Sequence, residues 1–205
     1  MPPSPEHRAR QRPDTLTRVA VTGRFQPFHV DHLALVVDAL SRAEQVLIGI
    51  TNPDVRSLQP APESDHRHLP AANPFTWLER LVFIEAALEH HGVARSRYTI
   101  TPFPLDAPET WSAYVPAGTP QLVRIFSDWE REKSRRLAAG DYPVIELQGD
   151  PLHRVSASDI RAAMARRDGT WRELVPAGTR ARLEAIGDDE LCRRCAATPR
   201  NGDQG

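Results

Sequence analysis

The sequence predicts one α/β domain built on a parallel, doubly wound five-stranded sheet. Short apolar runs of strand length alternate along the chain with longer segments of helical periodicity. This alternation is typical of a sheet covered by helices on both faces, with the ligand at the carboxyl ends of the strands. A length of 205 residues with 40% hydrophobic residues suffices for one core of this kind.

The first half of the chain begins this alternation. Arg18–Thr22 is the predicted first strand, and Asp31–Arg42 is an amphipathic helix with a continuous apolar face. The apolar run Gln45–Thr51 is expected to form a buried strand. The stretch 52–72, rich in proline and histidine, is predicted to be a loop, and whether it closes over substrate as a lid stays open.

The second half continues the same order. Asn73 is a favourable N-cap and Pro74 a favourable first helical residue, so a helix is expected from there to about His91. The further strands are predicted at Arg97–Pro102, Gln121–Phe126 and Tyr142–Leu147, and the further helices at about Trp129–Ala139, Ser158–Arg167 and Ala177–Ile186.

Both ends of the chain are polar. Residues 1–17 are rich in proline and are predicted to be a disordered arm, and residues 188–205 a flexible tail, which leaves a domain over 18–187. Cys192 and Cys195 lie in this tail. One pair of cysteines cannot complete a four-ligand zinc site, so we expect both thiols to be inert.

The composition excludes several classes of function. A net charge of -1 provides no field that would attract nucleic acid or an anionic membrane surface. No run approaches the roughly 18 apolar residues of a membrane span, and the N-terminus lacks the apolar stretch of a signal peptide. The sequence therefore predicts a cytoplasmic protein without nucleic-acid or membrane partners.

The segment Gly23–His32 follows the first strand directly and contains two histidines. A strand that turns through a glycine into a helix presents free backbone N–H groups and a partial positive charge to an anion. His29 and His32 are three residues apart, so both imidazoles can lie on one face and donate to phosphoryl oxygens. The pattern indicates a phosphate site, the alternative being a pair of surface histidines.

A second helix start with similar chemistry lies at Val155–Arg161. Ser156 and Ser158 are favourable capping residues, and Arg161 follows one turn later. Hydroxyl groups, helix N–H groups and a guanidinium suit a pyrophosphate, although an ordinary capping sequence with a solvated arginine is the alternative. Two such helix starts in one α/β domain point to a triphosphate.

These two motifs, with Asn73–Arg80 and Trp171–Pro176, resemble the archaeal-type nicotinamide mononucleotide (NMN) adenylyltransferases over about residues 18–187. This family belongs to the nucleotidylyltransferase superfamily with the His-x-Gly-His signature. The resemblance implies a Rossmann-like fold and Mg²⁺-assisted transfer of a nucleoside monophosphate from a triphosphate to an acceptor oxyanion, with release of pyrophosphate. The family's archaeal members form oligomers, so a homo-oligomer is an open alternative.

The resemblance also implies roles for individual residues. His29 and His32 would hold the α-phosphoryl group, and Ser156 and Ser158 the β- and γ-phosphates. No acidic cluster has an obvious Mg²⁺-ligand spacing, which suits a metal held by the triphosphate and water, with no protein ligand. The expected catalytic residues are His29, His32, Arg24 and Arg161, and the other expected nucleotide-binding residues are Gly23, Phe25, Gln26, Asp31 and Val155.

The chain departs from the family between the two histidines, where Asp31 replaces a glycine. Glycine there allows a base or ribose to lie against the backbone. A carboxylate near a triphosphate is unfavourable unless it accepts a hydrogen bond, for example from the amino group of a base such as cytosine. The alternative is that Asp31 is simply a favourable residue at a helix start.

The other departures affect the acceptor side. Asp106 and Trp111 match the family's acceptor loop, but the loop is shorter and lacks asparagine; Trp111 is equally well explained as a core or lid aromatic. A family Thr-Gly-Asn is replaced by Phe126-Ser127-Asp128, so Asp128 is also placed on the acceptor side. The Gly-Thr of the last phosphate motif is Ala157-Ser158, which keeps the hydroxyl.

We therefore expect triphosphate machinery with an acceptor other than NMN. The branch of the family known for this change attaches CMP to small phosphonates, such as phosphonoformate, in natural-product pathways. Such an acceptor needs cations, of which Arg124 is the first expected; the alternative for the others is a solvated helix face with Glu130 and Glu132 as partners. The further cations near the fourth strand are Arg131, Lys133, Arg135 and Arg136.

Two other functions compete with this hypothesis. The first is an NMN adenylyltransferase that makes NAD from ATP and NMN, which predicts that Trp111 stacks on nicotinamide. The second is a non-catalytic nucleotide sensor, since fold alone does not fix activity. Retention of His29, His32, Ser158 and Arg161 argues against a sensor, because binding alone does not need groups that act on a transition state.

Overall fold

The computed structural model describes residues 15–54 and 69–196, and these fold around a five-stranded parallel sheet. The strand order is β3-β2-β1-β4-β5, so the first strand is central and the order reverses between β1 and β4. This confirms the predicted doubly wound α/β architecture. The strands are β1 (Leu16–Gly23), β2 (Ala43–Ile50), β3 (Tyr98–Pro102), β4 (Gln121–Ile125) and β5 (Val144–Gln148).

Helices connect the strands and follow the last of them. They are α1 (Val30–Arg42), α2 (Trp77–His90), α3 (Asp128–Ala139), α4 (Ala157–Ala165), α5 (Ala177–Ile186) and α6 (Asp188–Cys195). None of the helices in the described ranges combines the length and the apolar character that a bilayer span requires.

The second helix begins later than its sequence predicts. Thr76, not Asn73, is the N-cap of α2, because Thr76 and Glu79 form a reciprocal capping box. The amide of Asn73 instead donates to the Leu69 carbonyl at 3.1 Å, and Pro70–Ala72 forms a 3₁₀ turn. The stronger pair of capping bonds sets the start of the helix.

The ends of the domain also differ from the prediction. Residues 188–195, expected in a flexible tail, form α6, and β1 begins at Leu16, inside the expected arm. Leu191 and Cys195 are buried in the main core, with the Cys195 sulfur 3.9 Å from that of Met164. Residues 1–14 and 197–205, and residues 55–68 of the predicted loop, lie outside the described residues.

The sheet separates two apolar cores, and a crevice lies at the carboxyl ends of its strands β1 and β4. The larger core includes side chains of α1, α2, α4, α5 and α6, whereas the smaller one includes Phe103, Trp111 and Tyr142. β1 and β4 share one registered pair, Ala20 with Gln121. Their carboxyl ends beyond that pair border a crevice at the point where the strand order reverses, which is where open α/β sheets bind ligands.

Candidate active site

A cavity of about 220 Å³ occupies this crevice. The ends of β1 and β4, the first turn of α1, one face of α3 and the start of α4 form its walls. The structure therefore brings together the two helix starts that the sequence singled out. The predicted site residues that line the cavity are Gly23, Arg24, Phe25, Gln26, His29, Asp31, His32, Val155, Ser156, Ser158 and Arg124.

Hydrogen bonds between Gln26 and Phe75 fix the loop after β1. Gln26 is 1% exposed, and its side-chain amide both donates to the Phe75 carbonyl at 2.8 Å and accepts from the Phe75 N–H at 3.0 Å. Phe25 has a φ of 53°, and a Cβ on Gly23 would lie 2.8 Å from its ring. Gly23 is therefore required by the close approach of this ring, and Gln26 serves to tie two motifs together.

The two histidines stack on each other at the start of α1. Their ring centroids are 3.6 Å apart with planes inclined at 28°, and His29 is the N-cap of the helix. The backbone N–H of His29 donates to Nδ1 of His32 at 3.3 Å. Nδ1 of His29 is buried, and the His29 side chain faces the backbone N–H of His32 in the capping arrangement that begins α1.

Both imidazoles are held in the neutral form. Burial lowers the pKa of His29 to about 3, and the charges of Arg154 and Arg161 act in the same direction. Burial also lowers the pKa of His32 well below its ordinary value, assisted by His29 and by nearby cations. Burial is the larger cause of both shifts, and the cations that add to it are charges that an anionic ligand would neutralise.

The start of α4 provides the second anion-binding feature. Ser156 is its N-cap and accepts from the N–H of Ser158 at 3.1 Å. Arg161 is 7% exposed and lies outside the cavity lining; its guanidinium donates to the Gln26 carbonyl at 2.7 Å and to the Ser158 hydroxyl at 3.1 Å. Arg161 thus braces the loop after β1 and orients Ser158 from behind the cavity.

Asp31 links the two helix starts. One of its carboxylate oxygens, Oδ2, accepts a hydrogen bond from the backbone N–H of Val155 at 2.8 Å. The two residues are 124 positions apart in the chain and both line the cavity. The residue that replaces the family's glycine therefore fastens the start of α1 to the segment that leads into α4.

Arg154 is a cavity residue that the sequence analysis missed. Its guanidinium donates to Glu130 Oε1 at 2.9 Å and lies 4.9 Å from the centre of the Phe126 ring. Glu130 is 8% exposed, and its other oxygen accepts from the backbone N–H and the hydroxyl of Ser127. The capping box at Ser127 was a signal for Glu130, but only the fold brings that carboxylate to Arg154.

The expected cations of α3 divide between cavity and solvent. Lys133 is 7% exposed, lines the cavity and donates to the Thr22 carbonyl at the end of β1. Arg135 instead pairs with Glu132 within the helix, and Arg136 lies 3.7 Å from Asp106. The solvated-face alternative thus describes Arg135, but not Lys133.

Arg124, the cation expected on β4, lines the cavity but is already paired. Its guanidinium lies 2.6 Å from Asp38 of α1. Trp129 lines the same wall and was not expected there as a site residue. The cavity therefore presents two further cations, Lys133 and Arg154, beside two aromatic side chains, Phe126 and Trp129.

Three residues expected on the acceptor side are absent from the cavity lining. Trp111 is 2% exposed, stacks on Phe103 with centroids 5.1 Å apart, and donates its indole N–H to the Pro104 carbonyl. It is a core residue, as the alternative interpretation held. Asp106 lies in an exposed loop near Arg136, and Asp128 is the exposed first residue of α3.

A buried arginine, Arg80, fixes the backbone that follows β1 and β2. Arg80 is fully buried on α2 and donates to the carbonyls of Arg24, Thr51 and Asn52, which follow β1 and β2. Burial lowers its pKa to about 10, so the guanidinium stays charged at neutral pH. Within residues 15–54 and 69–196 its acceptors are all backbone carbonyls, and it therefore fixes the carboxyl ends of the two strands relative to each other.

Named proteins resemble the chain over nearly its whole length. A phosphonoformate cytidylyltransferase from Streptomyces viridochromogenes is 33% identical over 178 residues, which cover 84% of this chain and 94% of the relative. A nicotinamide-nucleotide adenylyltransferase from Ignicoccus hospitalis is also 33% identical over 178 residues, covering 86% and 95%. These relatives confirm the resemblance that the four motifs indicated.

A solved structure supports the fold. A bifunctional NMN adenylyltransferase/ADP ribose pyrophosphatase from Francisella tularensis superposes with a TM-score of 0.62 at 18% identity over 87% of this chain. The chain spans about half the length of that protein, 52%. The family model described as cytidylyltransferase-like matches residues 20–163. The chain therefore belongs to the cytidylyltransferase-like family.

Proposed function

We propose that this protein transfers CMP from CTP to a small phosphonate or phosphate acceptor such as phosphonoformate, with release of pyrophosphate, as a cytoplasmic enzyme of natural-product biosynthesis. The coarser class is common to its relatives, which are named as nucleotidyltransferases of two kinds. The chain is accordingly a nucleotidyltransferase. The choice of donor and acceptor is the part that we propose.

The observation that carries the proposal is the positive charge on the side of the cavity formed by α3 and Arg154. Lys133 and Arg154 line it, whereas Trp111, the residue expected to support a nicotinamide ring, is buried in the smaller core. A compact acceptor with several negative charges is matched by clustered cations and needs no aromatic shelf. The Streptomyces relative is named for such an acceptor.

The reaction that we propose is an in-line displacement at the α-phosphorus. The acceptor oxygen forms the new P–O bond while the bond to the β-phosphate oxygen breaks, and that oxygen keeps the electron pair as pyrophosphate leaves. We assign His29 and His32 to the α-phosphoryl group, and the start of α4 to the departing phosphates. In the neutral His32 ring the proton is on Nε2, because Nδ1 accepts from His29, so Nε2 is a donor.

Positioning and charge stabilisation supply most of the catalysis in this scheme. The neutral histidines donate without adding charge, and Arg24, Lys133 and Arg154 supply the positive field around them. Charge that develops on the bridging oxygen is then met by donors already held in place by Arg161 and Gln26.

Magnesium fits this site only as a companion of the triphosphate. Among the described residues that line the cavity, Glu130 has both carboxylate oxygens engaged by Ser127 and Arg154, whereas Asp31 has one oxygen engaged by the Val155 N–H. No group of three or more His, Cys, Asp or Glu side chains within the described residues is arranged to hold a metal. Phosphate oxygens and water would hold the ion, which would neutralise charge on the β- and γ-phosphates.

Pyrophosphate release tests the proposal. Each of ATP, CTP, GTP and UTP is supplied with Mg²⁺ and with NMN, phosphonoformate, other small phosphonates or phosphate esters in turn. We expect turnover with CTP and a phosphonate and none with NMN. Turnover with ATP and NMN alone would overturn the proposed substrates while leaving the reaction class intact.

One observation favours NMN adenylyltransferase as the second candidate. Phe126 and Trp129 line the cavity, so an aromatic surface for nicotinamide is available on α3 and β4 even though Trp111 is not. The Ignicoccus relative matches the chain at the same identity as the Streptomyces one. Under this alternative, Trp129→Ala raises the KM for NMN, and ATP is the donor.

A further inference from the structure

Asp31 is a carboxylate in a cavity whose other features favour anions. It lies in the first turn of α1, between the two histidines, and it contacts the segment that begins α4. A negative side chain there repels a triphosphate, and hydrogen bonds from donors to both of its oxygens lower that cost. Its hydrogen bonds therefore decide what it does in the complex.

The hydrogen bond from Val155 satisfies one oxygen and fixes the carboxylate. Oδ2 accepts from that N–H at 2.8 Å, and among residues 15–54 and 69–196 no hydrogen bond reaches Oδ1. The bond has a second effect, because it occupies a backbone donor of a residue that lines the cavity. At this position the protein offers a ligand an acceptor, the remaining carboxylate oxygen, in place of an N–H donor.

Nucleobases differ at the edge that such an acceptor would contact. Cytosine and adenine carry an exocyclic amino group, which donates, whereas uracil and guanine carry a keto oxygen at the corresponding position, which accepts. A keto oxygen against a fixed carboxylate oxygen leaves two acceptors facing each other without a proton. An amino group instead supplies the donor that Oδ1 lacks.

We infer that Asp31 is the residue that determines donor specificity, selecting a nucleoside triphosphate with an amino-bearing base. For the CTP proposed above, the contact is between Oδ1 and the 4-amino group of cytosine. The inference rests on the proposed function for the choice of cytosine, but the class of base follows from the Asp31–Val155 bond. A bond to a charged group contributes about ten- to a hundredfold in affinity.

The test replaces the acceptor oxygen Oδ1 of Asp31 with a hydrogen-bond donor. In Asp31→Asn the amide oxygen can still accept from Val155, while the amide nitrogen replaces Oδ1 and offers a donor. Calorimetric titration with CTP, UTP, ATP and ITP, each with Mg²⁺, gives two ratios of affinity for an amino-bearing base over its keto counterpart. These are the ratio of CTP to UTP and the ratio of ATP to ITP. We expect both ratios to fall at least about tenfold in the variant, with UTP and ITP gaining affinity.

Asp159→Asn is the matched control. Asp159 is an exposed carboxylate in the first turn of α4, the other anion-binding helix, and it is outside the cavity lining. Its removal changes the net charge and a helix start as Asp31→Asn does, so the ratios should stay as in the parent protein. Unchanged ratios in Asp31→Asn as well would overturn the inference and leave Asp31 as a tether only.

A measurement on the unaltered protein guards against a variant that fails to fold. The CTP analogue with hydrogen in place of the 4-amino group removes the proposed donor and introduces no keto oxygen. We expect it to bind at least about tenfold more weakly than CTP, and equal binding would overturn the inference. Preference for ATP over CTP would contradict the proposed donor alone, since the ATP and ITP pair still tests Asp31.

Discussion

His32 accepts a hydrogen bond at Nδ1 from the backbone N–H of His29, and the two rings stack 3.6 Å apart between their centroids. The contact orients both side chains before any ligand arrives. It also places two imidazoles so close that protonation of one opposes protonation of the other. The pair is thus organised as neutral donors beside several permanent cations.

Acid should destabilise the protein through His29. Its folded-state pKa is about 3, whereas the unfolded chain binds the proton near the ordinary value of 6.5. The unfolded state therefore binds more protons between these values, and stability is lost as the pH falls from 6.5. The expected slope is about 1.4 kcal/mol per pH unit for one fully shifted histidine.

Urea unfolding at pH 7, 6 and 5 measures this slope. His29→Asn should lower the slope by the contribution of one histidine and leave that of His32, because asparagine does not titrate. His90→Asn, at an exposed position at the end of α2, should leave the slope unchanged. An equal slope in the parent protein and in His29→Asn would show that the neutral histidine does not contribute.

Glu130 should act on the acceptor through Arg154. The carboxylate holds the guanidinium at 2.9 Å, and Phe126 contacts the guanidinium as well. Glu130→Gln keeps an acceptor for Ser127 but removes the charge that orients Arg154, so the KM for a phosphonate should rise about three- to tenfold. Arg154→Gln should raise it further, by about tenfold or more, with a smaller change for CTP.

Steady-state kinetics with each substrate varied in turn separates these effects. Arg131→Gln is the control, since Arg131 is an exposed arginine of the same helix. If Arg154→Gln raises the KM for CTP as much as that for the acceptor, Arg154 binds the triphosphate and the acceptor subsite lies elsewhere.

Arg80 should be required for both stability and activity. Its replacement by methionine leaves the carbonyls of Arg24, Thr51 and Asn52 without their donor. The expected loss is about 2–4 kcal/mol in the free energy of unfolding, because buried carbonyls lose charge-assisted hydrogen bonds. Catalytic turnover should fall with it, since the loop that carries Arg24 loses one of the side chains that hold it.

Denaturant unfolding and kcat on the same samples provide the measurement. Arg180→Met, at an exposed position on α5, should change stability by less than about 0.5 kcal/mol. A loss in Arg80→Met no larger than this control would mean that water replaces the guanidinium at the strand ends.

The sequence predicts the sheet well because local pattern encodes it. The runs at Arg18–Thr22 and Gln45–Thr51 are apolar over strand length, and their alternation with helices implies the crevice between β1 and β4. The motif histidines follow from the same logic, since the end of the first strand is where the fold places a ligand. Helix α6 escapes prediction because Leu191 and Cys195 stand among charged residues.

Contacts between distant segments set the limit of such prediction. Arg154 and Glu130 are 24 residues apart, and neither belongs to a motif that names the other as its partner. Asp31 and Val155 both lie in predicted motifs, yet the hydrogen bond between them depends on how α1 and α4 meet. Trp111 has the residue type expected of a stacking platform, and only the packing of Phe103 and Tyr142 shows it to be core.

Trp111 should therefore affect stability and not acceptor choice. Trp111→Phe keeps a ring against Phe103 but loses the bond to the Pro104 carbonyl and part of the packing, at an expected cost of about 1–3 kcal/mol in unfolding free energy. Trp111→Ala should cost about 3–5 kcal/mol.

Melting temperature and denaturant unfolding measure both losses. Kinetics on Trp111→Phe, at a temperature where the variant is fully folded, measures the KM for NMN and for phosphonoformate. Unchanged KM values agree with a core residue. A selective rise in the KM for NMN would instead place the indole at the acceptor during turnover and favour the adenylyltransferase alternative.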